Sequence, residues 1–189
     1  MSAPLTRAEG GVLVGLAAAV VAARLSGHAL DGSPPESPAL RALGASFVTL
    51  ENQGRLRGCV GSLEPARPLF QDVARNAVRA MHDPRLPPVT ATDWPDLDLH
   101  VSVLSRTEPV PAGSRHELLA VLRPGIDGLV LAAGGRRVTF LPAVWKHLTT
   151  TERFLAALLA KGGWRGDSWP APLSAHRYTT VEFHTHPAG

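Results

Sequence analysis

The only cysteine of the 189-residue chain, Cys59, lies in the segment Arg55–Gly61 with two arginines and two glycines. If this segment is a β-strand, alternate side chains lie about 6–7 Å apart on one face, so Arg57 neighbours Cys59. A nearby guanidinium stabilises a thiolate, the nucleophilic form of cysteine. Gly58 and Gly61 lack a Cβ atom and would let a ligand approach closely.

We therefore predict that Cys59 is an accessible candidate catalytic nucleophile, and that Arg57, Gly58 and Gly61 are binding residues. The thiol is expected to ionise below its ordinary value of about 8.5. A purely structural role is the alternative, because cysteine is among the most buried residue types. Strand alternation places Leu56 on the core face and Cys59 on the other, but a bulge at Gly58 would reverse that parity. The sequence leaves both interpretations open.

The string LRGCVG resembles the LRGCIG signature of the AMMECR-type domain family, whose microbial members are called AmmeMemoRadiSam system protein A. Val60 stands where isoleucine is commoner, and Leu159 stands where many members carry a second cysteine. Further family landmarks follow in the same order over nearly the whole chain: Asp83–Pro88, Ser102–Leu104, Gly125–Leu129, Phe140–Pro142 and Phe154–Gly163. The resemblance implies the family's fold and a site at the cysteine, whereas the family's reaction is unsettled.

The resemblance also implies partnership with a radical S-adenosylmethionine protein and a Memo-type protein, because the system's name joins all three. One cysteine cannot ligate an iron–sulfur cluster, so radical chemistry would reside in the partner, and we predict no cofactor on this chain. We also predict no metal site. The chain has no CxxC, HExxH or EF-hand pattern, and His184 and His186 alone are too few ligands for structural zinc.

Three further charged residues complete the predicted site. Asp83 and Arg85 lie in a proline-rich, stiff loop, and Glu108 follows a half-buried strand. Largely on the basis of the family resemblance, we expect Asp83 and Arg85 to line, with the thiol, a pocket for a small anionic substrate, to which Glu108 is added as a further candidate. The simpler alternatives are an ion pair between Asp83 and Arg85 and a solvated carboxylate at Glu108.

Composition excludes several classes of protein. The chain is 44% hydrophobic and 19% charged with a net charge of +3, which is typical of a soluble globular protein. Acids are interspersed among the bases and aromatic residues are few, so nucleic-acid binding is not expected to be strong or specific. The fourteen uncharged residues of Gly10–Ala23 are fewer than the roughly 20 that span a bilayer. We predict a buried helix over residues 7–25, no membrane association and a cytoplasmic location.

The predicted fold is α+β, with two packed subdomains in which antiparallel sheets are flanked by helices. Residues 1–110 form the larger subdomain with the LRGCVG hairpin, residues 111–170 form the smaller one, and a strand within 171–189 returns to the larger. The predicted function is an enzyme or enzyme-accessory component with a cysteine- and arginine-lined cleft. The alternative is an RNA- or protein-binding module that uses the arginine-bearing strand for recognition.

Overall fold

The computed structural model describes residues 5–29, 33–165 and 169–185. Its helices are α1 (Arg7–Leu25), α2 (Pro38–Arg41), α3 (Leu69–Ala80), α4 (Arg115–Val121) and α5 (Thr151–Lys161). Its strands are β1 (Leu43–Gly44), β2 (Ser46–Asn52), β3 (Arg55–Gly61), β4 (Arg67–Pro68), β5 (Leu97–Leu104), β6 (Glu108–Val110), β7 (Gly128–Ala133), β8 (Arg136–Phe140), β9 (Ser174–Tyr178) and β10 (Thr180–Thr185). The predicted α+β class is confirmed, with antiparallel pairing in each of the sheets.

Residue contacts divide the chain into two compact units, which differ in their bounds from the predicted subdomains. The first unit takes residues 1–104 and 181–189, and the second takes residues 105–180. The second unit begins before residue 110 because β6 pairs with β9 in its sheet. It also extends beyond residue 170, because β9 pairs with β7. Of the two C-terminal strands, only β10 joins the sheet of the first unit.

The first unit is built on a four-stranded sheet in the order β10-β5-β2-β3, which leaves β3 at an edge. The predicted hairpin of β2 and β3 is confirmed, and its turn is Gln53-Gly54 with φ values of 50° and 74°. Two successive residues with positive φ are typical of the tight turns that match the twist of a hairpin. Helices α1 and α3 pack on one face of this sheet and, with Val48, Leu50 and Leu99, enclose the core.

Helix α1 has the predicted bounds, and it begins with a capping box of Thr6 and Glu9. The Thr6 N–H donates to Glu9 Oε2 at 2.8 Å, and the Glu9 N–H donates to Thr6 Oγ1 at 3.2 Å. The helix is long and apolar enough to cross a membrane by composition, a test that core helices also pass. The prediction was a buried helix, but only one side of α1 packs on the core. Val12 on the outer side is 49% exposed.

The second unit has its own sheet, in the order β6-β9-β7-β8, and its own apolar core. Strands β7 and β8 form a hairpin about Gly134-Gly135, whose φ values are 57° and 74°. The Trp145 ring stacks on Phe154 of α5 with 3.8 Å between ring centroids. Leu159 is fully buried in this core.

Candidate functional site around Cys59

Strand β3 contains a β-bulge at the residue before the Gly-Cys pair. Leu50 of β2 pairs with Gly58, whereas the next residue, Glu51, pairs with Leu56, so Arg57 is the extra residue. A bulge changes which face each side chain occupies. Strand alternation without a bulge predicts Arg55, Arg57 and Cys59 on one face and Leu56 on the other, and the bulge makes this wrong for Arg55 and Leu56.

The bulge leaves Cys59 on the sheet face opposite the core. Cys59 pairs with Thr49 of β2, whereas Gly58 pairs with Leu50, which is fully buried. Directly opposed residues share a face, so Gly58 faces the core and the thiol faces away from it. The Cys59 side chain is partly exposed, and it is not part of the core cluster. The bulge at Gly58 that would have buried the thiol does not occur.

A row of polar side chains crosses the sheet on the face of the thiol. Thr49 Oγ1 donates a hydrogen bond to Cys59 Sγ at 3.3 Å, and His100 of β5 lies opposite Thr49 on the other side. The strand order places Thr49 of β2 between Cys59 of β3 and His100 of β5. Since neighbouring strands are about 4.8 Å apart, His100 lies two strand spacings from the cysteine. His100 Nε2 lies 3.8 Å from Glu51 Oε2, and its ring stacks on His184 with centroids 5.9 Å apart.

The Asp83 carboxylate and the Arg85 guanidinium hold the outward-facing backbone of Cys59. The Cys59 N–H donates to Asp83 Oδ2 at 3.1 Å, and Arg85 Nη2 donates to the Cys59 carbonyl at 3.1 Å. Arg85 binds Asp83 through Nε at 2.9 Å and Nη2 at 2.5 Å, and also through its backbone N–H at 3.1 Å. Asp83 and Arg85 thus satisfy the N–H and carbonyl groups of edge strand β3 that another strand would otherwise bind. Both predicted residues therefore contact the cysteine.

The same contacts stabilise the charged forms of Asp83 and Arg85. The Asp83 side chain is 1% exposed and that of Arg85 is 62% exposed. Hydrogen bonds from Arg85, which outweigh the effect of burial, hold the pKa of the Asp83 carboxyl well below its usual range. The bond to Asp83 raises the pKa of Arg85, and a Cys59 thiolate adds to that rise. Arg85 is therefore a cation in contact with Cys59.

Arg57, the cation expected beside the thiol, is engaged elsewhere. Its Nη2 atom donates to Asp93 Oδ2 at 3.0 Å and to the Pro88 carbonyl at 3.3 Å. Burial acts against ionisation of Asp93, but hydrogen bonds from Thr90 and the charge of Arg57 outweigh it and lower its pKa. The Arg57 Nε atom is buried without a hydrogen-bond partner among the described residues. Arg85 thus forms a hydrogen bond to Cys59, whereas these contacts of Arg57 are to Asp93 and Pro88.

The two glycines beside the thiol are required by packing. A Cβ atom on Gly58 would lie 1.9 Å from the carbonyl oxygen of Ala80 in α3, and one on Gly61 would lie 2.2 Å from the Phe47 ring. Both distances are far below ordinary van der Waals contact. The space at each glycine is therefore filled by the protein itself, which differs from the expectation that they admit a ligand.

Glu108 belongs to the second unit and begins β6. Its carboxylate lies 3.4 Å from Arg177 Nε of the neighbouring strand β9, and its side chain is 67% exposed. These contacts agree with the simpler interpretation, a solvated surface carboxylate. Its assignment to the Cys59 pocket stays a prediction.

Sequence reasoning missed a buried polar cluster close to the end of β3. Helical periodicity predicts Asp72 on the polar face of α3, yet it is fully buried. Its carboxylate accepts hydrogen bonds from the Ser46 backbone and hydroxyl, Ser62 Oγ, Arg67 Nη1 and Asn76 Nδ2, at 2.8–2.9 Å. Both carboxylate oxygens therefore have partners, and the cluster joins α3 to β2, to β4 and to Ser62, the residue after β3. Helical periodicity could not reveal this cluster, because a charged residue on the polar face of a helix is expected at the surface.

Within residues 5–29, 33–165 and 169–185, no group of three or more histidine, cysteine, aspartate or glutamate side chains is arranged to hold a metal ion. His186, the second histidine of the C-terminal pair, lies outside the described residues.

Comparison with known proteins identifies the family. A family model described as AMMECR1 matches residues 14–183. A protein from Methanothermobacter thermautotrophicus is 36% identical over 188 residues, covering 96% of this chain and 97% of that protein. One from Thermotoga maritima is 34% identical over 156 residues, covering 81% and 84% of the two proteins. The crystal structure of the uncharacterized protein PH0010 from Pyrococcus horikoshii has a TM-score of 0.86 at 29% identity, covering 95% of this chain and 93% of that one. The chain therefore belongs to the AMMECR1 family.

Proposed function

We propose that this protein is an enzyme, or an accessory component of one, that presents the Cys59 thiolate to a small anionic substrate. The observation that carries the proposal is the environment of the sulfur. The thiol lies on the sheet face away from the core, accepts a hydrogen bond from Thr49 at 3.3 Å, and has its backbone held by Asp83 and Arg85. A hydroxyl donor and a nearby cation both favour a thiolate over a thiol.

The arrangement supports nucleophilic chemistry at sulfur. In such a step the Cys59 sulfur forms a bond to an electrophilic carbon of the substrate, and the displaced group leaves with the bonding electron pair. Arg85 uses Nε and Nη2 to bind Asp83, which leaves N–H groups of Nη1 for an anionic group of the substrate. The exposed guanidinium thus serves both the thiolate and the substrate.

The partners belong to the same proposal. A radical S-adenosylmethionine protein and a Memo-type protein are proposed on the basis of the family resemblance. The single cysteine supports placing the radical chemistry in the partner, because the partner would have to carry the iron–sulfur cluster. A reducing, cytoplasmic location is proposed on the same ground, since the chain can form no internal disulfide.

Mass spectrometry of the intact protein tests this proposal. We expect wild-type protein incubated with both partners and S-adenosylmethionine to gain a mass that maps to the Cys59 peptide, or to be required for partner turnover. Cys59→Ser is expected to abolish either effect, whereas Arg106→Gln, at an exposed arginine of the second unit, is expected to leave it unchanged.

An unmodified chain, combined with full partner turnover in the presence of Cys59→Ser, would contradict the proposal. If RNA or protein binding survived Cys59→Ser but was lost in Arg57→Ala, the binding-module alternative would replace it. The engagement of Arg57 by Asp93 argues against that alternative, because a recognition arginine must be available to its ligand.

A further inference from the structure

A second candidate site lies on the helical side of the first unit. A cavity of about 480 Å³ opens between the C-terminal turns of α1 and the outer side of α3. Its apolar walls are formed by Val20 and Ala23 of α1 and by Ala74 and Val78 of α3. This volume falls within the range of about 300–1,000 Å³ that small-molecule sites occupy.

The polar groups of the cavity are basic. Arg24, Arg75 and His28 line it, and no carboxylate does so among the described residues. Neither arginine makes an ion pair or a side-chain hydrogen bond within the described part of the chain, although many other arginines here are paired. Two guanidinium groups without a partner among the described residues therefore provide charge for an anionic group, and the apolar walls beside them provide surface for a hydrocarbon group.

Each arginine also has an ordinary structural explanation. Arg24 lies in the last turn of α1, where a cation interacts favourably with the helix dipole, and Arg75 is an exposed residue of α3. These explanations apply to each residue alone. They do not account for the cavity that the two arginines share, or for the lack of a described carboxylate in its lining.

We propose that this cavity binds an amphipathic monoanion, that is, a carboxylate with a short hydrocarbon chain. Arg24 and Arg75 bind the carboxylate through charge-assisted hydrogen bonds, and the walls formed by α1 and α3 cover the chain. The site is separate from Cys59, because α1 and α3 pack on the core face of the sheet and the thiol lies on the other face. It can therefore be tested independently of the thiol chemistry.

Octanoate is the probe, with octanamide as the matched neutral compound and acetate as the anion without a hydrocarbon chain. Isothermal titration calorimetry and amide chemical-shift mapping would be applied to the full-length protein. We expect saturable binding of octanoate, with shifts confined to the α1 and α3 residues that line the cavity. Octanamide and acetate are each expected to bind at least about tenfold more weakly, since each lacks an interaction that contributes more than that factor.

The double variant Arg24→Gln/Arg75→Gln removes both charges from exposed positions. It is expected to weaken octanoate binding by at least about tenfold, whereas Arg7→Gln, at the other end of the same helix, is expected to have no effect. If the double variant folds poorly, chemical-shift mapping on the wild-type protein still shows whether octanoate binds in the cavity. Absence of saturable octanoate binding, shifts elsewhere on the protein, or equal affinity for octanamide would overturn the proposal.

Discussion

Replacing Gly58 by alanine is expected to lower the free energy of unfolding by about 3 kcal/mol or more. The new Cβ would lie 1.9 Å from the carbonyl oxygen of Ala80, so strand β3 and helix α3 must separate. Overpacking of a core costs about 1–3 kcal/mol when side chains can adjust. Here the neighbour is backbone, which places the effect at or above the upper end of that range.

Urea denaturation measures this change, and Gly15→Ala is the matched control. A Cβ on Gly15 would meet nothing within 4 Å, and Gly15 lies on the exposed side of α1. Its replacement is expected to raise stability by about 0.5–1 kcal/mol, because alanine has the higher helix propensity. If Gly58→Ala left stability unchanged, β3 would not pack on α3 as described.

Replacing Asp83 by asparagine is expected to lower the free energy of unfolding by about 2–3 kcal/mol at neutral pH. The buried carboxylate accepts bonds from Cys59 and Arg85, and an amide would place a donor opposite one of these donors. Loss of one partner from a buried charged network costs about 2–4 kcal/mol. Because water screens the exposed guanidinium of Arg85, we expect a loss of unfolding free energy below the upper end of that range.

The same substitution is expected to change how stability depends on pH. The Asp83 pKa is lower in the folded chain than in the unfolded chain, so the unfolded chain binds the proton first on acidification. The stabilisation is present above the unfolded value of about 3.9 and is lost as the pH falls below it. The difference between wild type and Asp83→Asn should therefore shrink as the pH falls below about 5.

Denaturation midpoints between acidic and neutral pH measure this difference, and Asp96→Asn, at an exposed carboxylate, is the control. A gap between wild type and Asp83→Asn that stayed constant across the acidic range would show that Asp83 ionisation does not stabilise the fold.

The elements of this fold were largely predictable because local sequence specifies them. The capping box of Thr6 and Glu9, the apolar stripe of α3 and the Gly134-Gly135 turn each act over a few residues. The loop that carries Asp83 and Arg85 was expected beside the cysteine through the family resemblance, and it contacts the Cys59 backbone. Its physical role, holding the Cys59 backbone at the sheet edge, depends on contacts over 24 and 26 residues.

The predictions from sequence are wrong where contacts between residues distant in sequence determine the structure. The bulge at Arg57 moves Leu56 onto the face of the thiol, and nothing in a pattern of alternate residues marks which position will be extra. Gly58 was interpreted as open space, although the helix that fills it is more than twenty residues away in sequence. The neighbours of the thiol, Thr49 and Arg85, follow from strand register and loop path. Periodicity describes neither of these.

The most direct test of the account is native alkylation of Cys59 by iodoacetamide as a function of pH. The chain has no other thiol, so the total rate reports this site alone. We expect the folded wild-type protein to react. Arg85→Ala and Thr49→Val should shift the half-maximal rate to higher pH, by about one unit for the loss of the cation. Arg57→Ala is expected to match wild type, because Asp93 holds that guanidinium. A thiol that reacts only after denaturation, or with the same pH profile in all four proteins, would contradict the assignment of Cys59 as a nucleophile activated by Thr49 and Arg85.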